Sequence, residues 1–208
     1  MRAERFFTRP PEAVWAGVGL LAVVGLGAIL IPAGPLGIDQ HWADAMKDVH
    51  SDFLKGVALV FNSLGIWPWR AVGLGAVACV LLATRRLLAL VTFAVAEVLA
   101  PLLSTLLKAL VDRPRPPGGL VHPVGSSYPS GHATDAGTTA VALVLLFTAA
   151  GPGRRPWWIV AGLGIAVMAW SRTYLQVHWL SDVVAGAALG IGVALAVFGA
   201  AQWRRPPA

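Results

Sequence analysis

The chain alternates long apolar runs with short polar breaks. Apolar residues dominate over about 14–32, 68–84, 87–108, 132–150, 156–171 and 182–201, and several runs approach the roughly 20 residues a helix needs to cross a bilayer. The pattern predicts an all-α, polytopic membrane protein with six transmembrane helices. Segment 38–66 fits this plan less simply. From Ile38 to Lys55 it mixes Asp39, His41, Asp44, Lys47, Asp48 and Asp52 with apolar residues. From Phe53 to Ile66 it is apolar but short, and it carries Asn62 and Ser63. An interfacial or re-entrant helical segment suits it better than a span. The proline-rich stretch Arg113-Pro114-Arg115-Pro116-Pro117 cannot continue a helix. There is no internal repeat and no separate soluble domain, so residues 1–208 are read as one membrane-embedded domain.

Composition supports the membrane reading. Hydrophobic residues make up 57% of the chain and charged residues 12%, about half the roughly 25% of a soluble domain. The net charge of +6 is not a nucleic-acid footprint, because the basic residues form short clusters between apolar segments. Cys79 is the only cysteine and lies inside an apolar run, so no internal disulfide can form. The N-terminus has no small-residue cleavage signal after a short apolar core, which predicts a retained first span.

Charge then orients the spans. With six of them, Arg2, Arg5, Arg9, Arg85, Arg86, Arg154, Arg155, Arg204 and Arg205 all fall on one side, nine of the 16 basic residues. Arginine accumulates in short cytoplasmic segments, so this side is inside and both termini are cytoplasmic. A seventh span over 53–66 would scatter the clusters to both sides. Trp15, Trp67, Trp69, Trp157, Trp158, Trp170 and Trp203 lie near span ends, where aromatic belts form. Segments 33–67, 109–131 and 172–181 are then external.

Three clusters meet on that external face. They are Lys108 with Arg115-Pro116, Pro129-Ser130-Gly131-His132, and Ser171-Arg172 with His178 and Asp182. Lys108, Arg115 and Arg172 would repel one another at a common point unless an anion sat there. Phosphate suits them, since guanidinium forks match its oxygens and lysine adds a point charge. Ser130 and Gly131 precede a helix, whose first N–H groups and dipole favour an anion. His178 and Asp182 are four apart and share a helix face if the sixth span begins early. A carboxylate on one ring nitrogen fixes the tautomer and frees the other to attack. His132 follows the anion site and could protonate a leaving oxygen.

These residues resemble the type 2 phosphatidic acid phosphatase superfamily. Its signature of Lys-x6-Arg-Pro, Pro-Ser-Gly-His and Ser-Arg-x5-His-x3-Asp is matched at every specified position between Lys108 and Asp182. The resemblance implies that His178 attacks phosphorus and forms a phosphohistidine, oriented by Asp182. It implies that His132 protonates the leaving group and later activates water. Lys108, Arg115, Ser130, Gly131 and Arg172 would hold the phosphoryl oxygens. It implies no metal and no cofactor, and the external face has no carboxylate cluster spaced for a metal. The implied partner is a lipid phosphate or diphosphate within the bilayer.

Lysines and arginines at span ends are often plain anchors, but the complete constellation outweighs that reading. Arg113 is read as a loop charge paired with Asp112. His41, His50 and His122 are read as polar surface residues. Asp135 either tunes His132 or bonds a neighbouring helix, and Glu97 is read as a buried hydrogen bond between helices. Among competing functions, a lipid phosphotransferase shares every motif. A transporter is disfavoured by the scarcity of intramembrane polar groups and of paired broken helices. Vanadium haloperoxidases share the motifs, but the known ones are soluble. Substrate ranking places a polyprenyl diphosphate such as undecaprenyl diphosphate first, ahead of phosphatidate and phosphatidylglycerophosphate. The external site, the lack of an added head-group domain and the mixed segment 38–66 support that order.

Overall fold

The computed structural model describes residues 5–203, and Arg2, Arg204 and Arg205 of the expected cytoplasmic clusters lie outside them. Among the described residues the structure is helical throughout: α1 (Pro10–Leu30), α2 (Gly37–Asp48), α3 (Asp52–Leu64), α4 (Trp69–Ala83), α5 (Leu87–Val111), α6 (Gly131–Phe147), α7 (Arg155–Tyr174) and α8 (Leu180–Trp203). Local chemistry explains the boundaries. α1 opens on proline, whose fixed φ suits a first turn. Ser51 caps α3 by accepting a hydrogen bond from the Leu54 N–H at 3.2 Å. Gly65 and Pro68 stop α3 and turn the chain, so α3 and α4 form a pair bent by 54°.

Helices occupy all six positions where the sequence predicts spans. α1, α5 and α8 are long and apolar enough to cross a membrane individually, and the bent pair α3–α4 qualifies only when taken together. α6, with 17 residues, is shorter than a full span. Leu26, Ile29, Val91, Val98, Leu102 and Leu163 are exposed apolar residues on these helices, a surface that lipid solvates and water does not.

α8 is the central helix, packed against α1, α5 and α6. Its glycines permit backbone-to-backbone contact. A Cβ on Gly186 would run into the Ser130 carbonyl, and one on Gly190 into the Thr134 carbonyl. Such small-residue contacts are how membrane helices pack closely without a hydrophobic driving force between them. The main core joins Phe93, Leu145, Leu189, Val193 and Phe198, while a second cluster around Ala58, Tyr174, Leu175 and Val177 seats α3 on α7.

The two ends of the bundle differ. At one end Arg154 donates to the Phe6 carbonyl, Gln202 Oε1 accepts from the Phe6 and Phe7 N–H groups at 2.8 Å each, and Arg86 donates to the Leu146 carbonyl at 2.8 Å. Arg154 is therefore a buried tie as well as an end charge. At the other end α2 docks onto the end of α7. Trp42 Nε1 donates to Thr173 Oγ1 at 2.9 Å, and Gln176 Nε2 donates to the Ala43 carbonyl at 3.1 Å.

Candidate active site

α5 delivers the first cluster. The helix ends at Asp112 in the left-handed region, φ 40, and the chain turns back over the bundle. Two strands of this loop are stitched together: the Arg113 N–H donates to Ser126 Oγ at 2.9 Å and the Ser127 N–H to the Arg113 carbonyl at 2.8 Å. Lys108 Nζ donates to the Ser126 carbonyl at 3.0 Å, and Arg115 spans to the next segment. Its Nε donates to the Gly125 carbonyl at 3.0 Å and its Nη1 to the Val177 carbonyl at 2.8 Å. The same Nη1 lies 3.2 Å from His178 Nε2. A guanidinium can only donate, so Nε2 presents its lone pair and the ring proton resides on Nδ1.

His178 sits just ahead of α8, which begins at Leu180, so the pair with Asp182 is made across the helix N-terminus and not along a helix face. Asp182 Oδ2 caps that terminus by accepting from the Trp179 N–H at 2.8 Å and stands 3.7 Å from His178 Nδ1. That is longer than a hydrogen bond, and Nδ1 has no other partner. Burial pushes the His178 imidazole down to about 4, with Asp182 opposing the shift in part. At neutral pH the ring is a neutral imidazole with a free lone pair on Nε2.

The second cluster opens α6. The Ser130 N–H donates to the Asp182 carbonyl at 3.0 Å, so this donor of the expected anion site is already engaged. Ser130 Oγ is buried without a hydrogen-bond partner, and a Cβ on Gly131 would meet nothing. His132 Nε2 lies 3.3 Å from the Asn62 carbonyl, and Arg172 Nη1 donates to Asn62 Oδ1 at 2.8 Å. Arg172 and His178 both lie within coulombic reach of His132, and Lys108 and Arg115 within reach of His178. All eight sequence-predicted residues therefore gather at one end of the bundle. Among the described residues no three His, Cys, Asp or Glu side chains are grouped to hold a metal.

Three residues enter that the sequence reading did not place here. Arg113 is not a loop charge paired with Asp112. Its side chain is fully buried, and its guanidinium pairs with Asp182 Oδ1 at 2.6 Å and Asp39 Oδ2 at 2.8 Å. Asp39, on α2, also accepts from the Ser181 N–H and Oγ, each at 2.8 Å. Burial alone would push its carboxyl up, but hydrogen bonds from Ser181, Arg113 and Leu36 outweigh burial and hold it below the usual range. Asn62 is the third. The partners of Arg113 lie 69 and 74 positions away, so no local spacing announces the contact. The one available signal was an arginine locked between a helix end and Pro114.

Asp135 forms an ion pair with a neighbouring helix: Arg70 Nη2 of α4 lies 3.0 Å from Asp135 Oδ1 and 3.2 Å from Glu97 Oε2. Thr139 Oγ1 donates to Glu97 Oε1 at 2.8 Å, which is the interhelical bond expected of Glu97. Beside them a cavity of about 280 Å³, lined by Leu64, Trp69, Leu74, Val77 and Met168, reaches His132. His41 bonds the Gly37 carbonyl of its own helix, and His50 stacks on Tyr174.

Known proteins share both sequence and fold with this chain. Lipid A 1-phosphatase of Porphyromonas gingivalis is 43% identical over 77 residues, which are 35% of this chain and 16% of that one. Undecaprenyl-diphosphatase of Sulfolobus acidocaldarius is 40% identical over 68 residues, 33% of this chain and 30% of that one. The matched segments thus span less than a third of each relative. The crystal structure of a transmembrane PAP2-type phosphatidylglycerolphosphate phosphatase from Bacillus subtilis superposes with a TM-score of 0.72 at 24% identity, covering 92% of this chain and 98% of that one. The model of the PAP2 superfamily matches residues 89–206, more than half of the chain and a stretch holding all eight site residues, and the chain belongs to that superfamily.

Proposed function

We propose that the chain is an integral membrane lipid phosphatase of one domain, working at the outer face of the cell membrane through a phosphohistidine. The observation that carries this reading is Arg115 Nη1 at 3.2 Å from His178 Nε2, with Asp182 behind the other ring nitrogen. A cation that rests on the nucleophilic nitrogen is placed to receive the phosphoryl oxygens. His178 Nε2 attacks the terminal phosphorus, the bond to the leaving oxygen breaks (the ester oxygen of a lipid monophosphate, or the bridging oxygen of a diphosphate, which departs as the lipid monophosphate), and His132 donates a proton to that oxygen. Water then attacks the phosphohistidine, His132 takes its proton, and inorganic phosphate leaves with His178 restored. Lys108, Arg115 and Arg172, with Ser130 and Gly131 at the start of α6, hold the phosphoryl oxygens as charge builds. No cofactor takes part.

In this reading α1 and α4 through α8 are the six spans, and α2 with α3 lies at or re-enters the outer surface. The Arg154–Phe6 and Arg86–Leu146 ties support a cytoplasmic end opposite the site. Polyprenyl diphosphate is the first-ranked substrate, because a second phosphate needs charge partners that a monoester lacks. A specific observation favours phosphatidylglycerophosphate as the second: a Bacillus subtilis protein named phosphatidylglycerophosphatase B is 35% identical to this chain over 95 residues. A phosphatase and a phosphotransferase differ only in whether water or a lipid hydroxyl accepts the phosphoryl group. The test is phosphate release in detergent from polyprenyl diphosphate, phosphatidylglycerophosphate, phosphatidate and lysophosphatidate, with His178→Ala as control. Release from none of them, or release unaffected by His178→Ala, defeats the proposal.

A further inference from the structure

Asp182 has two oxygens and three claims on them. Oδ2 accepts from the Trp179 N–H at 2.8 Å and faces His178 Nδ1 at 3.7 Å, while Oδ1 is held by Arg113 Nη1 at 2.6 Å. With Oδ1 tied, the carboxylate plane cannot rotate Oδ2 away from the imidazole. Arg113 is itself fixed from several directions. Nη1 also meets Ser181 Oγ at 2.8 Å, Nη2 meets the Gly34 carbonyl at 3.1 Å and Asp39 Oδ2 at 2.8 Å, and the backbone is pinned on both sides by Ser126 and Ser127. The indole of Trp179, the residue after His178, lies with its centroid 6.0 Å from the guanidinium carbon and donates through Nε1 to the Pro114 carbonyl at 2.9 Å.

This arrangement exceeds what a buried cation needs. One carboxylate would neutralise Arg113, yet it carries two, from α2 and α8, and both side chains are fully buried. Replacing a buried ion pair with apolar residues is often harmless to stability, so such groups carry an argument mainly through the geometry they impose. Here that geometry is the orientation of one carboxylate. The fork of arginine is required for it, because a lysine ammonium cannot bridge two carboxylates in a fixed plane.

We propose that Arg113 is a positioning residue for phosphoryl transfer: its fork aims Asp182 at His178 and ties that aim, through Asp39, to the docking of α2. The proposal rests on the reading of His178 as the nucleophile. When Nε2 bonds to phosphorus the ring becomes cationic, and Nδ1–H must then close on Oδ2 from 3.7 Å to hydrogen-bond distance. A carboxylate free to rotate would not be in place for that step. α2 becomes a structural part of the catalytic end of the molecule, even though it offers nothing to the phosphate itself.

The experiment compares purified full-length wild type, R113K and Asp39→Asn in detergent. It measures kcat, KM, the rate of phosphoenzyme formation and the melting temperature, with His178→Ala as reference. R113K keeps the charge and loses the fork. The expected result is a fall in kcat and in the phosphoenzyme rate of about 10²-fold, the scale of a misplacement near 1 Å, with KM changed less than about threefold. Asp39→Asn should show the same split to a smaller degree, since Arg113 keeps Asp182 but loses its second anchor. Unchanged kcat in folded R113K, with only the melting temperature lowered, would mean a purely structural role and overturn the proposal. If R113K does not fold, Asp39→Asn decides: reduced kcat at constant KM supports positioning, and wild-type kcat overturns it. Failure of the underlying reading looks different, because wild type would then release no phosphate or His178→Ala would remain active.

Discussion

Asn62 Oδ1 accepts a hydrogen bond from Arg172 Nη1 at 2.8 Å, and the carbonyl of the same residue lies 3.3 Å from His132 Nε2. The single asparagine of the chain thus occupies two groups of the site at once, from the last turn of α3. A neutral amide oxygen is a modest partner for a guanidinium, and a phosphoryl oxygen outcompetes it. Asn62→Asp changes that balance by placing a carboxylate on Arg172. KM for the lipid phosphate should rise about tenfold or more while kcat changes less, measured by phosphate release in mixed micelles. An unchanged KM would show that Arg172 does not reach the phosphoryl group.

The buried imidazole sets the pH behaviour. As the proposed nucleophile His178 must keep Nε2 free of a proton, and burial lowers its imidazole to about 4 from the ordinary 6.5. The acid limb of kcat/KM should therefore fall near 4, once the ionisation of the substrate is measured separately and divided out. Stability carries the same sign. Between pH 6.5 and 4 the unfolded chain binds a proton at this residue that the folded chain does not. That contribution is fully present above 6.5 and is lost as the pH falls toward 4. An acid limb near 6.5 would mean that His178 is hydrated in the working enzyme.

Legibility in the sequence followed the range of the interaction. Helices at the six apolar stretches were readable because apolar length is a local property, and the placement of α5 and α8 differs from the sequence reading by only a few residues. That the eight motif residues meet at one end of the bundle was readable, because their spacing matches a known signature. Arg113 and Asp39 were not readable, because the contact between them joins positions 74 residues apart. Neither has an oppositely charged side chain at helical spacing. The His178–Asp182 relation was half legible: the four-residue spacing predicted proximity, but the late start of α8 at Leu180 put the histidine before the helix. Segment 38–66 resisted because its two short helices are held by contacts such as Trp42–Thr173 and Arg172–Asn62, which no periodicity encodes.

In the proposed mechanism, fixed cations and a histidine nucleophile suit a five-coordinate phosphate analogue. Orthovanadate should inhibit competitively, and far more tightly than inorganic phosphate. Activity should survive EDTA. Complete loss with the chelator, restored by magnesium, would count decisively against this site.

Gly186 offers a stability test aimed at packing near the site. A methyl group there would meet the backbone oxygen of Ser130, which cannot swing aside as a flexible side chain can. Gly186→Ala should lower stability by about 1–3 kcal/mol, the usual cost of overpacking, and should lower kcat because Ser130 and α6 move with the clash. Gly73→Ala, where a Cβ would meet nothing, is the control and should leave the melting temperature within error. Equal behaviour of the two variants would show that α6 and α8 separate more readily than their packing implies.

Membrane orientation can be read by thiol labelling, at sites the structure dictates. The charge pattern expects the loop between α5 and α6 outside and the loop between α6 and α7 inside. Arg154 would be the obvious inner label site, but it is buried and bonded to Phe6 and Thr148, so a cysteine there would disturb the fold it reports on. Gly153 is exposed and makes no close contact at its Cβ position, and His122 is exposed on the loop that carries Arg115. The parent cysteine, Cys79, is exposed on α4 and must first become serine. In intact cells a membrane-impermeant thiol reagent should label His122→Cys and spare Gly153→Cys, and permeabilised cells should label both. The reverse pattern would place the catalytic end in the cytoplasm. A polyprenyl diphosphate released outside the cell would then be out of reach, while phosphatidylglycerophosphate made inside would become the better substrate candidate.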